Sequence, residues 1–402
     1  MIRNQEKGKR LKSVIFSELP IHDSLWSITT GRNGNIYVGV CCELTGGQSV
    51  FIVQYNPVEK KTNYLLEVSS ALGEPGDNGR APYSKIHYCL LPSSDGKLYA
   101  ATHASGPPIN HRIWRPWHTW DDPKRMHSGF HIFSFDPKTE ELTDFGVMSR
   151  NEGSRAAALA ERRGLIYGIT WPRDHFYIFD IKKRRYRDLG RIGDINAQAV
   201  WIDSEENGYT ADDLGYIIKY DANQDRLIHL NLRVPKSPDC PSEARSVYDV
   251  VPSPDGKSVY GTVWNLERIP FAERLFKYDF KKNKIYDLGP GYGKDKLDHL
   301  GGLIFGDDGY LYYAASKRDE KRRVPYRMYL FRMNIETLKK EEIAPFDDGD
   351  YHSEYISKAT KDFAGNLYFA DTNNRPERIY IYTPKGSGKD FTPKWPIVRS
   401  WG

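Results

Sequence analysis

A chain of 402 residues with 39% hydrophobic and 28% charged residues has the balance of a globular protein and excludes collagenous or disordered architectures. A net charge of +5 is mild for this length and argues against a nucleic-acid partner. With 27 Tyr and 34 Gly, the composition favours strands and tight turns, so residues 1–402 are expected to form one all-β domain.

The segment MIRNQEKGKRLKSVIF at the start is polar and lacks the apolar run of a signal peptide. No stretch approaches the ~20 apolar residues that cross a bilayer. A cytoplasmic protein without a membrane partner is expected. A short Tyr-centred strand then recurs seven times: NIYVGV (35–40), KLYAAT (97–102), LIYGIT (165–170), NGYTAD (207–212), SVYGTV (258–263), YLYYAA (310–315) and NLYFAD (366–371). Turns such as Asn33-Gly34, Asp95-Gly96, Asp255-Gly256 and Asp308-Gly309 precede it, with an apolar run such as LWSI, YCLL or YDVV before each turn. This pattern predicts a hairpin. An alternating third strand follows (IVQYN, IFSFD, YIFD, IIKYD, LFKYD, LFRMN, IYIY), and often a fourth ending near Asp-Leu-Gly.

Seven repeats of four antiparallel strands predict a seven-bladed β-propeller. The last repeat shows three strands before the tail. The N-terminal segment LKSVIFSEL (11–19) is expected to supply the fourth and close the ring. The basic runs Lys182-Lys183-Arg184-Arg185 and Lys281-Lys282 fall in hairpin turns and read as solvated.

Loops from second to third strands and from blade to blade share one face, and here they are long, at 67–84, 103–129, 231–245, 264–273, 316–327 and 343–353. Elaborated loops on a rigid scaffold carry function. The inner-strand starts and second-strand ends on that face hold His87 and His103 in blade 2, Arg155 and Arg173 in blade 3, Tyr248 and Asn265 in blade 5, His299 and Lys317 in blade 6, and Tyr355 and Asn373 in blade 7. Such a set suits proton abstraction beside a carboxylate. Elimination from a uronic acid needs a cation or amide to neutralise the carboxylate, a His or Tyr base, and a donor for the departing oxygen. Glycoside hydrolysis instead needs two paired carboxylates, and Asp212, Asp213 and Asp371 lie in blades 4 and 7.

The KIHY and THASGPP segments of blade 2, followed by arginines in the next blade, resemble the seven-bladed propeller polysaccharide lyases, the group of ulvan lyases and rhamnosyl-glucuronate lyases. The resemblance implies a lyase acting on a uronate-containing oligo- or polysaccharide. His87 and His103 would take acid, base or carboxylate-binding roles, Arg155 or Arg173 would hold the carboxylate, and Tyr248 would donate a proton. His299, Asn265, Tyr355 and Trp117 would contact the sugar, the last from a loop with Trp114, Trp117 and Trp120 at intervals of three. The chain is expected to depart from the group in having no leader, and it places Arg155 where some relatives have tyrosine.

No organic cofactor is expected. His175 and Cys240 are candidate zinc ligands too few for a tetrahedral set. Cys41, Cys42, Cys89 and Cys240 show no disulfide framework and read as reduced thiols. Two alternatives stay open: a carbohydrate- or protein-binding propeller, and a metal-dependent lactonase-like propeller suggested by ADTNNRPERIYIY (370–382), for which Glu18 and Glu43 are not convincingly placed.

Overall fold

The computed structural model describes residues 11–19, 22–43, 49–74, 79–104, 122, 124–194, 197–265, 273–292, 299–318, 326–349, 351–372 and 376–392. Its strands form five separate four-stranded antiparallel sheets, one eight-stranded sheet and a small hairpin, Asp347–Asp348 with Tyr351–His352. The large sheet is two four-stranded units joined at Ser24 and Thr372. In chain order the units span 24–67, 90–150, 153–191, 201–233, 245–290 and 300–345, which we call blades 1 to 6. Blade 7 comprises Tyr355–Lys361, Leu367–Thr372, Arg378–Tyr382 and the N-terminal strand Lys12–Ile15.

That last strand pairs antiparallel with Arg378–Tyr382, Lys12 opposite Ile381 and Ile15 opposite Arg378. Phe16, fully buried, then packs with Leu25, Ile28, Tyr368 and Ile379. The closing strand thus covers an edge that would otherwise be open, and Phe16 adds apolar burial where the two ends of the described chain meet.

Each repeated tyrosine lies in the second strand of its blade, and four of them hydrogen-bond a side chain of their own inner turn. The hydroxyls of Tyr209, Tyr312 and Tyr368 donate to Asp203 (2.8 Å), Asp308 (2.7 Å) and Asp362 (2.8 Å), while Asn33 donates to Tyr37 (2.8 Å). The phenol fills space between blades and its hydroxyl satisfies the turn, which explains why Tyr and Asp/Asn-Gly recur together. All four cysteines are buried free thiols.

The inner strands share a second feature. In six blades the inner ladder slips: at Trp26 in blade 1, across 86–89 in blade 2, at Arg155 in blade 3, at Tyr248-Asp249 in blade 5, at Gly302-Leu303 in blade 6 and at Ser357-Lys358 in blade 7. A bulge breaks the period-two alternation and re-aims a side chain. Repeated round the ring, it turns Trp26, Tyr88, Arg155, Tyr248 and Lys358 into one shared contact region.

Candidate active site at the propeller mouth

Blade 2 carries the widest slip. Its inner strand is Leu90–Pro92, three residues later than the sequence places it. Ahead of it Lys85 bridges His103 through both backbone bonds, Lys85 N to His103 O at 3.0 Å and the reverse at 2.8 Å. Tyr88, inside the slip, has φ of 26°, a conformation bulky residues rarely adopt and one that concentrates at functional sites.

His87 stacks on Trp26 with ring centroids 4.7 Å apart and planes 17° apart. Its Nδ1 lies 2.7 Å from the carbonyl oxygen of Arg155. A carbonyl only accepts, so Nδ1 carries the proton and Nε2 holds the lone pair. His103 packs edge-on against His87 at 5.8 Å and against Trp171 at 5.2 Å. Gly153 is required here, because a Cβ at that position would collide with the His103 ring. The His103 Nδ1 atom is buried with no hydrogen-bond partner.

Two cations flank these rings. Lys85 Nζ lies 4.1 Å above the Trp26 ring and 3.0 Å from Glu43, whose other oxygen accepts from Trp26 Nε1 at 2.5 Å. Arg155 donates from Nε to Gln198 at 2.9 Å and lies 5.9 Å from the Trp171 ring centre. Burial first, then the charges of Lys85 and Arg155, hold both His87 and His103 well below the usual imidazole range, so both are neutral at pH 7. Burial also lowers Lys85, against the pull of Glu43.

The opposite wall is tyrosine-rich. Tyr248 packs edge-on against Tyr88 at 6.0 Å and Tyr355 at 5.8 Å, and Tyr355 lies 6.1 Å from both Trp26 and His299. Burial and the Tyr248 hydroxyl push Tyr88 and Tyr355 well above the usual phenol range, so both remain O–H donors. Below them Lys358 of blade 7 reaches Asp249 of blade 5 at 2.6 Å and sits 4.5 Å from the Tyr88 ring centre. Asp249 also accepts from the backbone N of Leu303 and of Val250, both at 2.8 Å. A fully buried ion pair therefore ties three blades beneath the mouth.

Among the residues expected at the site, His87, His103, Arg155, Tyr248, Tyr355 and His299 form one connected set. Two others are in ion pairs: Arg173 pairs with Glu152 at 3.0 Å, and Lys317 pairs with Glu342 over the rings of Tyr292 and Tyr329. Asn265, buried, ends the second strand of blade 5 opposite Arg245. Trp114, Trp117, Trp120 and Asn373 lie outside the described residues. His175 bonds Asp188 at 2.7 Å on the outer strands of blade 3 and Cys240 is buried between blades 4 and 5; among the described residues no group of His, Cys, Asp and Glu is disposed to hold a metal. Asp371 is engaged by Ser353 and Tyr351. Sequence reasoning missed Trp26, Lys85, Tyr88, Asp249, Lys358 and Glu273.

No family model matches the chain, nor does any curated protein. In fold it is similar to the extracellular domain of the one-component system BT4673 of B. thetaiotaomicron, with a TM-score of 0.61 and 11% identity over 94% of this chain, which spans only 40% of that one. It is similar also to virginiamycin B lyase of Staphylococcus aureus (TM-score 0.60, 10% identity, 93% of this chain and 99% of that one) and to YCF48 bound to D1 peptide (TM-score 0.57, 8% identity, 94% and 96%). At such identities the likeness establishes the fold, a β-propeller, which a lyase and a peptide-bound protein share.

Proposed function

We propose that the mouth is the active site of a carbon–oxygen lyase that cleaves a glycosidic bond at a uronic acid by β-elimination. The observation that carries this reading is the juxtaposition of two neutral histidines, the cations Lys85 and Arg155, and a cluster of protonated tyrosines. Arg155 and Lys85 match the need to neutralise the uronate carboxylate as charge builds on the enolate-like intermediate. A neutral imidazole suits removal of the C5 proton, and Tyr88, Tyr248 or Tyr355 suits protonation of the departing oxygen. His299, Tyr355 and Asn265 would contact the sugar. Glu43 serves by holding Lys85 and Trp26 in place. A fold shared with a protein named as a lyase is compatible with this reading.

A second reading, a non-catalytic binding propeller, is favoured by the burial of His87 and His103, only 2% and 3% exposed. The two are separated by incubating the protein with oligosaccharides of glucuronate, iduronate and galacturonate and following absorbance near ~235 nm, where a C4–C5 unsaturated uronate absorbs. The lyase produces a rise that His103→Ala and Arg155→Ala each reduce by about 100-fold or more. No rise on any of the three leaves the binding reading.

A further inference from the structure

The mouth holds a third histidine in a different setting. His299 Nδ1 lies 3.0 Å from Oε1 of Glu273, and Oε2 of the same carboxylate accepts from the backbone N of Leu300 at 2.9 Å. Glu273 is 3% exposed and precedes the third strand of blade 5, whereas His299 precedes the inner strand of blade 6. The carboxylate therefore crosses a blade boundary to hold the ring. The backbone of His299 is fixed in turn: its N–H donates to Ser316 Oγ at 2.8 Å and its carbonyl accepts from Ser316 N at 2.9 Å.

Four other histidine–carboxylate pairs among the described residues show why this one stands apart. His229 on the outer strand of blade 4 lies 3.8 Å from Asp212, just past the second strand of the same blade. His131 with Asp144 and His175 with Asp188 link the third strand to the fourth in blades 2 and 3, and Arg274 with Asp287 fills the same slot in blade 5. A slot that accepts arginine as readily as histidine is structural. His352 pairs with Asp347 across the small hairpin beside blade 6. Only His299 shares the mouth, 6.1 Å from the ring of Tyr355 and through it connected to Tyr248 and Trp26.

We propose that Glu273 and His299 form the proton-carrying pair of the mouth, with His299 as the catalytic base and Glu273 as the positioning residue that orients it and stabilises its imidazolium. This rests on the lyase reading and divides the site's labour. His87 and His103 stand beside Lys85 and Arg155, cations that oppose a positive charge on either ring, so they bind the substrate carboxylate as neutral groups. His299 stands beside an anion and is built to accept a proton. In the reaction the C5–H bond breaks and its proton passes to His299 Nε2, the nitrogen not bonded to Glu273. The electron pair forms the C4–C5 double bond as the C4–O bond breaks. The departing oxygen takes a proton from Tyr355, which recovers one from the His299 imidazolium, so the site returns to its starting state. Among the described residues, Glu273 and Tyr355 are titratable groups that face the His299 ring.

The test uses the full chain, labelled with ring-¹⁵N histidine, as wild type, Glu273→Gln and Glu273→Asp. Two readouts are taken: the ¹⁵N NMR shifts of the His299 ring nitrogens, which report its tautomer, and elimination kinetics on uronate oligosaccharides. The wild-type ring is expected as the Nδ1–H tautomer, with the ring-nitrogen shifts moving toward an even tautomer mixture in Glu273→Gln. kcat is expected to fall about 100-fold in Glu273→Gln with KM within about threefold, and Glu273→Asp to restore part of it. An unchanged His299 tautomer in Glu273→Gln overturns the pairing whether or not any substrate is cleaved. A changed tautomer with kcat retained overturns the catalytic role. Absence of elimination by the wild type overturns the lyase reading and the base assignment with it, and leaves the tautomer to decide the pairing alone.

Discussion

The two walls of the mouth place the same residue type in opposite electrostatic settings. On the wall of blades 1 to 3, His87 and His103 lie with Lys85 and Arg155, whose charges work against protonation. On the wall of blades 5 to 7, each basic group meets its own carboxylate, His299 with Glu273 and Lys358 with Asp249. The first wall sets two cations, Lys85 held by Glu43 and Arg155 held by Gln198, beside neutral rings, which on the lyase reading receive an anion. The second is charge-balanced and suited to move a proton without changing its net charge. The geometry of a histidine alone says little about its task; the sign of its neighbours says more.

The largest expected effect comes from removing that balance. Asp249→Ala strips the buried Lys358 of its partner and orphans the backbone donors of Leu303 and Val250, so about 3–5 kcal/mol of stability should be lost. Denaturant midpoints at constant m-value measure it. A loss under about 1 kcal/mol would mean that the pair is hydrated and that the second wall is not a buried balanced element.

Next in size is an acid effect confined to the first wall's side of the ring. His127, buried against Tyr83 at 5.5 Å, is held down at about 4, chiefly by burial. Its folded pKa lies below the unfolded value near 6.5, so the unfolded chain takes up a proton first as pH falls. Stability is therefore unaffected above about 6.5 and drops between about 6.5 and 4, by roughly 3 kcal/mol for this group. His87 and His103 add in the same direction. Asp371 does the reverse: burial raises it to about 6, so its contribution is present below about 4 and lost as pH rises through 6. Replacing His127→Phe should flatten the acid limb of a stability–pH profile, and Asp371→Asn should flatten the fall from pH 4 to 6. If His127→Phe leaves the acid limb unchanged, the ring is already charged in the folded state and burial does not govern this wall.

Much of the scaffold is legible in the sequence because its markers are local. A tyrosine four to six residues after an Asp or Asn of a tight turn is one hydrogen-bonded unit in four blades, as with Asn33 and Tyr37 or Asp362 and Tyr368, and the tyrosine itself recurs in every blade. The N-terminal closure follows from a missing fourth strand. The site is legible only in part, since reading strand starts and ends finds His87, Arg155, Tyr248, His299 and Tyr355. Strict alternation fails at a bulge, however, and the bulges are what bring Trp26, Tyr88 and Lys358 into the cluster. A signal for some of these was present: a charged residue inside an apolar inner strand, Asp249 in VYDVV and Lys358 in YISKAT, demands a buried partner. Glu273 carries no such signal, because it follows an aperiodic loop and its partner lies in the next blade. Arg173 and Lys317 are ambiguous for the converse reason. They lie beyond or near the end of a second strand, where nothing in the sequence says whether a long cation turns to the axis or to a flanking carboxylate such as Glu152 or Glu342.

The smallest expected effect tests that last distinction. Arg155 and Arg173 belong to the same blade, but Arg155 sits at the bulge beside His87, while the Arg173 side chain is 35% exposed and spends its charge on Glu152. Arg173→Gln leaves Glu152 with its bond from Ser149 Oγ at 3.0 Å, so the stability cost should be about 1 kcal/mol and the elimination rate should stay within about threefold. Arg155→Gln, by contrast, removes one of the two cations of the first wall. The contrast between the two variants, read as kcat/KM on one uronate oligosaccharide, is sharper than either value alone because fold, blade and charge change are matched. If Arg173→Gln proves the more damaging, the carboxylate is held at the rim beside Glu152 and the charge asymmetry between the two walls is not what binds it.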